Sequence, residues 1–138
     1  MAPGVCLISA GNRDEQGFGA LIARCGLKVW KPQPPVPANR RLYDSALFLV
    51  VDLPRDEGIA ALHRFRAEGI RTPALLIVDP GRRVDPQALA CGWVMDAIGR
   101  DTDPLRFLRW VQSMCLAHTA LARARAQAGD AGTQDKAA

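Results

Sequence analysis

Asp52 closes the apolar run Ala46-Leu47-Phe48-Leu49-Val50-Val51. A carboxylate at the end of a buried strand can accept a phosphoryl group. The same residue, standing before Leu53-Pro54, can also simply cap a turn. Few other side chains offer chemistry. His63 and His118 fall on separate predicted helices, so no Ser-His-Asp or Cys-His set can be assembled from them. The four cysteines, Cys6, Cys25, Cys91 and Cys115, form no CxxC and no pattern with zinc spacing. Cys6 and Cys115 lie in apolar patterns and read as small core residues. No GxGxxG or GxxxxGK[ST] follows the first apolar run, and Gly17 and Gly19 fall inside a helical pattern, so no glycine loop cradles a phosphate. Neither a metal nor a cofactor is expected, and the chain does not read as an enzyme.

The elements that must hold Asp52 alternate in type. Val5-Cys6-Leu7-Ile8 is a continuous apolar run, as in a strand buried on both faces, and Ser9-Ala10-Gly11-Asn12 follows as a loop. Phe18, Leu21, Ile22 and Cys25 have helical spacing over about 14–24, with Gly26 as a stop. Lys28-Val29-Trp30 resumes extended structure. Four prolines between Pro32 and Pro37 make a stiff connector, which leaves room for only a turn or two of helix over 38–44. Ala46–Val51 is the strongest strand. Ile59, Leu62, His63, Phe65 and Arg66 describe an amphipathic helix closed by Gly69, on which His63 is solvated.

Pro73–Val78 is a further buried strand, and Asp79-Pro80-Gly81 a turn. Asp85-Pro86 caps a short helix ending near Gly92, and Trp93–Ile98 is a weaker strand. Asp103-Pro104 repeats the cap-and-proline start. The last helix carries Phe107, Trp110, Val111, Met114, Cys115 and His118 on one stripe and runs to about Gln127, with His118 as a packing histidine. Residues 128–138 are small and polar and read as a disordered tail.

Five strand–helix alternations with continuous apolar strands predict an α/β fold: a three-layer (βα)5 sandwich, flavodoxin-like, with a five-stranded parallel sheet and a second helix that is short or absent. Function in such sheets gathers at the carboxyl ends of the strands, where Ser9, Asp52, Val78 and Arg100 would all lie. The length of 138 residues and an apolar fraction of 49% suit one domain with a single core. The formal charge of +4 comes largely from scattered arginines with no block of five like charges, so nucleic acid is not an expected partner. No stretch approaches the roughly 18 apolar residues of a membrane span. The Met-Ala-Pro-Gly start shows no signal peptide, and the cysteine usage fits a reducing cytoplasm.

The order of elements, Asp52 at the end of the third strand, Pro54 and Gly58 after it, and the ending Asp96-Ala97-Ile98-Gly99-Arg100 together resemble the receiver domain of bacterial response regulators over about residues 4 to 120. The resemblance implies a two-component signalling module. In that family an acidic pair after the first strand holds Mg²⁺, the third strand ends on the phosphorylated aspartate, the fourth on Ser or Thr, and the fifth on Lys. The cation neutralises anions that phosphoryl transfer brings together. Here the acidic-pair positions fall on Ser9 and Ala10, the hydroxyl position on Val78 and the Lys position on Arg100. Pro54 and Gly58 also stand about two residues nearer the aspartate than in the family pattern. Asp14 and Glu15 come later, where acids serve a helix dipole more readily than a metal.

The resemblance therefore implies an atypical, pseudo-receiver member over residues 1–127 that acts by protein contact. Asp52 is then a vestigial phosphoacceptor, and Ser9, Val78 and Arg100 are remnants of a phosphate site. The alternative is a working receiver that uses Asp52, with Asp14 or Glu15 reaching the metal. A small-ligand or enzymatic flavodoxin-like domain ranks last, since fold does not fix function. Trp93, Leu105, Leu108, Leu116 and Leu121 widen the apolar surface beyond what docking the last helix needs. They form the candidate interaction face, for a kinase, regulator or adaptor, or for a homodimer through the last helix. Family members often carry an output domain after such a helix.

Overall fold

Continuous apolar runs become strands buried on both faces, because each alternate side chain meets a different helical layer. A computed structural model describes residues 4–9, 17–32, 40–81 and 94–137. The strands are β1 (Gly4–Ser9), β2 (Lys28–Trp30), β3 (Leu49–Asp52), β4 (Ala74–Val78) and β5 (Asp96–Gly99). They form one parallel sheet in the order β2-β1-β3-β4-β5. The helices are α1 (Phe18–Arg24), α2 (Arg40–Ser45), α3 (Glu57–Ala67) and α4 (Pro104–Ala137). The expected α/β sandwich with a short second helix is therefore observed. The predicted helix over 85–92, Trp93 and the proline run past Pro32 fall outside the described residues.

Cys6 and Ile8 of β1, Leu49 and Val51 of β3, and Ala74 and Leu76 of β4 point to one face, against Tyr43 of α2 and Ala61, Leu62 and Phe65 of α3. Val5, Leu7, Val50, Leu75 and Ile77 point to the other, against Phe18 and Ile22 of α1 and Phe107 and Val111 of α4. Phe18 and Phe107 pack with ring centroids 4.8 Å apart, and Phe48 meets Trp110 edge-on at 5.2 Å. Gly58 lets α3 approach the sheet closely: a Cβ there would lie 2.8 Å from Leu76 Cδ1. The link from α3 to β4 is pinned by Arg66, whose Nη1 donates to the carbonyls of Ile70 (2.8 Å) and Thr72 (2.9 Å).

Three expectations need correction. The strand β3 begins at Leu49, not Ala46. Residues 46–48 make the entry from α2, held by Leu47 N–H donating to the Gly4 carbonyl at 2.8 Å. Gly17 precedes α1 with φ 73°, a left-handed conformation glycine adopts without strain, so it lies outside the helix. His118 is exposed, because α4 outruns the sheet: among the described side chains its last half-buried residues are Met114 and Cys115. The helical backbone of α4 continues through Ala137. Once a helix is established, each added residue costs little, and alanines cost least.

Cys6 is fully buried, as expected of a small core residue, and burial pushes its thiol up to about 12. The folded chain thus holds this proton more tightly than the unfolded chain, whose thiol titrates near an ordinary value of about 8.5. Stability attributable to Cys6 should be intact below about pH 8.5 and be lost as pH rises toward 12. Urea unfolding at pH 8 and pH 10 should show the decline, and a Cys6→Ala background should reduce it. Iodoacetamide at pH 8 should leave Cys6 unmodified in the native chain and alkylate it in urea.

Candidate functional site

The parallel register brings four strand ends to one edge of the sheet. Ser9 pairs with Asp52 across β1 and β3, and Val78 pairs with Gly99 across β4 and β5. Asp52 is the last residue of β3 and fully buried; Ser9 is nearly so. Arg100 follows β5 directly, and its N–H donates to the Val78 carbonyl at 2.8 Å, which extends the β4–β5 ladder by one step. That bond fixes where the guanidinium starts. From there it reaches back over the end of β4, and its Nη2 makes an ion pair with Asp52 Oδ1.

Asp79, the residue after β4, completes the arrangement. Arg100 Nε donates to Asp79 Oδ1 at 3.3 Å, while Asp79 Oδ2 accepts the Arg55 N–H, also at 3.3 Å. Arg55 has φ 53°, a left-handed conformation that costs a non-glycine residue on the order of 1 kcal/mol. The Asp79 carboxylate helps hold the strained turn after β3. One guanidinium fork thus binds two carboxylates from different strand ends, a geometry for which arginine is suited and lysine is not. The Arg100 side chain is 16% exposed, so water screens the pair with Asp52 weakly.

The sequence places Ser9, Asp52, Val78 and Arg100 at this edge, and the structure brings them there. Asp79 was assigned only to a turn. The turn is present, with Gly81 at φ 80°, but the acid also belongs to the site. The available signal was its position, directly after a buried strand on the edge where sites gather. Asp14, Glu15 and Ala10 lie outside the described residues.

Magnesium needs carboxylate oxygens available to it alongside waters and phosphate oxygens. The two described carboxylates here are both engaged by Arg100, and the neighbouring Val78 has no oxygen in its side chain. Among the described residues no group of three His, Cys, Asp or Glu could hold a metal ion. The described side chains at this edge do not by themselves make an Mg²⁺ site.

The candidate interaction face is partly exposed. Leu105, Leu116 (72%) and Leu121 on α4 are open to solvent, as is Met95 before β5, and Leu108 is half-buried. Trp93 lies outside the described residues. No described helix is long and apolar enough to cross a membrane.

No protein-family model matches this sequence, and no curated protein matches it. Among solved structures, it is similar to the signal receiver domain of a protein described as a Luxo repressor, from Vibrio parahaemolyticus. The TM-score is 0.56 at 12% identity, over 85% of this chain and 98% of that one. This chain has the receiver-domain fold. In that fold the end of β3 is where Asp52 stands, and the residue after β5 is Arg100. At this identity the likeness speaks for the fold alone.

Proposed function

We propose that this chain is an atypical signal receiver module that works through protein contacts instead of Mg²⁺-dependent phosphorylation. The observation that carries this reading is the Arg100 guanidinium bridging Asp52 and Asp79. Phosphorylation requires a carboxylate oxygen of Asp52 to attack phosphorus while a cation gathers the phosphoryl oxygens. Arg100 already neutralises that carboxylate, and Val78 offers no hydroxyl to the product. A ligand shifts a conformational equilibrium only through differential affinity for its two states. With the aspartate held by an internal cation, phosphate offers little such difference. Ser9, Val78 and Arg100 are then remnants of a phosphate site, Asp52 is a structural anion, and the module has no catalytic role of its own.

The contact surface in this reading is the exposed leucine set of α4. Its partner is a second copy of the chain, or a kinase, regulator or adaptor in the cytoplasm. The competing reading is a working phosphoacceptor, favoured by the placement of Asp52 in a receiver fold.

One experiment separates the two. The chain is incubated with acetyl phosphate and Mg²⁺ and its intact mass is followed. No stoichiometric phosphoryl gain is expected. A gain of one phosphoryl group that disappears in Asp52→Asn would establish the competing reading. Light scattering on a sizing column should in parallel report self-association, reduced by Leu116→Arg.

A further inference from the structure

We propose that Cys25 and Cys115 form an oxidisable dithiol that joins the end of α1 to α4 through a reversible disulfide, with a small-molecule disulfide as co-reactant. Both side chains line one groove of about 510 Å³, together with Arg24, Gln112 and Leu116. Both are half-buried free thiols resting on the same core cluster.

The helix geometry accounts for their meeting. In a parallel sheet, α1 and α4 on one face run in the same direction. Their seam starts at the Phe18–Phe107 contact and continues with Ile22 and Val111, each four residues on and buried in the same cluster. A further step brings Cys25, seven residues past Phe18, level with Cys115, eight past Phe107. At 1.5 Å per residue these advances are about 10.5 and 12 Å, so the two cysteines sit at nearly the same height on facing stripes. Burial and the nearby Cys25 both push the Cys115 thiol up, which independently places the sulfurs within electrostatic reach. The raised Cys115 thiol is the poorer first nucleophile, so Cys25 is the entry thiol and Cys115 the resolving one.

The exchange balances without a further reagent. The Cys25 thiolate attacks the small disulfide, forming a mixed disulfide and releasing one small thiolate. The Cys115 thiolate then attacks Cys25 Sγ, closing the protein disulfide and expelling the second. The two protons leave the protein thiols and end on the two small thiols, and the small disulfide is reduced as the protein pair is oxidised. Among the described side chains, Cys115 lies at the last half-buried turn of α4. The bond would thus fix the helix where it leaves the sheet.

The test uses the reduced full chain with excess oxidised glutathione at pH 8, followed by acid quench. The expected product is about 2 Da lighter than the reduced chain. Non-reducing peptide mapping should give one cross-linked pair that joins Cys25 to Cys115. In Cys115→Ser the glutathione adduct should instead persist on Cys25. The proposal is overturned by a lasting adduct on the unmutated chain, by a link that uses Cys91 or a second chain, by unreacted Cys25 and Cys115, or by a 2 Da loss that survives Cys115→Ser.

Discussion

Replacing Arg100 with alanine should destabilise the chain by about 3–5 kcal/mol, because it removes the cation paired with a carboxylate that is fully out of water. Urea unfolding at neutral pH gives the difference directly. Arg100→Lys should lose less, since the charge remains, but should not match arginine, because an ammonium cannot present a planar fork to Asp52 and Asp79 together. The double variant Asp52→Asn/Arg100→Leu should be more stable than the two single losses sum to, since it removes both charges at once. A loss under about 1 kcal/mol for Arg100→Ala would mean that the pair behaves as a screened surface bridge. The assignment of Asp52 as a structural anion would then fall.

Phe107→Ala should cost a similar amount, about 3–5 kcal/mol, through lost burial and the cavity left against Phe18. For a domain of this size that corresponds to a fall in Tm of roughly 10–20 °C. Phe107 is the first fully buried residue of α4, so its loss should loosen the attachment of that helix. Leu116→Ala is the matched control. It lies on the same helix but is 72% exposed, and should stay within about 0.5 kcal/mol of the parent. Equal losses from the two changes would show that the distal part of α4 also packs on the sheet.

Much of this fold was legible because burial on both faces leaves a plain trace. Val5–Ile8 and Ala74–Val78 are apolar at every position, and only a strand between two layers needs that. Asp52 was legible for the same reason, as the polar residue that ends such a run. Periodicity says which face of a helix is apolar but not where the neighbouring sheet stops. His118 continues the stripe of Phe107, Val111 and Met114, yet it is exposed. The start of β3 was misjudged because Ala46, Leu47 and Phe48 are as apolar as a strand while serving as a buried entry from α2. The partnership of Asp79 with Arg100 and Asp52 depends on strand order and register, which relate residues distant in sequence. No local pattern marks it.

The length of α4 has a mechanical consequence. Its 34 residues span roughly 50 Å, against about 20 Å for the longest strand beneath it. The helix past Cys115 is therefore roughly 33 Å long. A tilt of about 5° where α4 crosses α1 would swing the far tip by about 3 Å. A change too small to disturb the core could in this way be magnified into a displacement that a neighbouring molecule can sense.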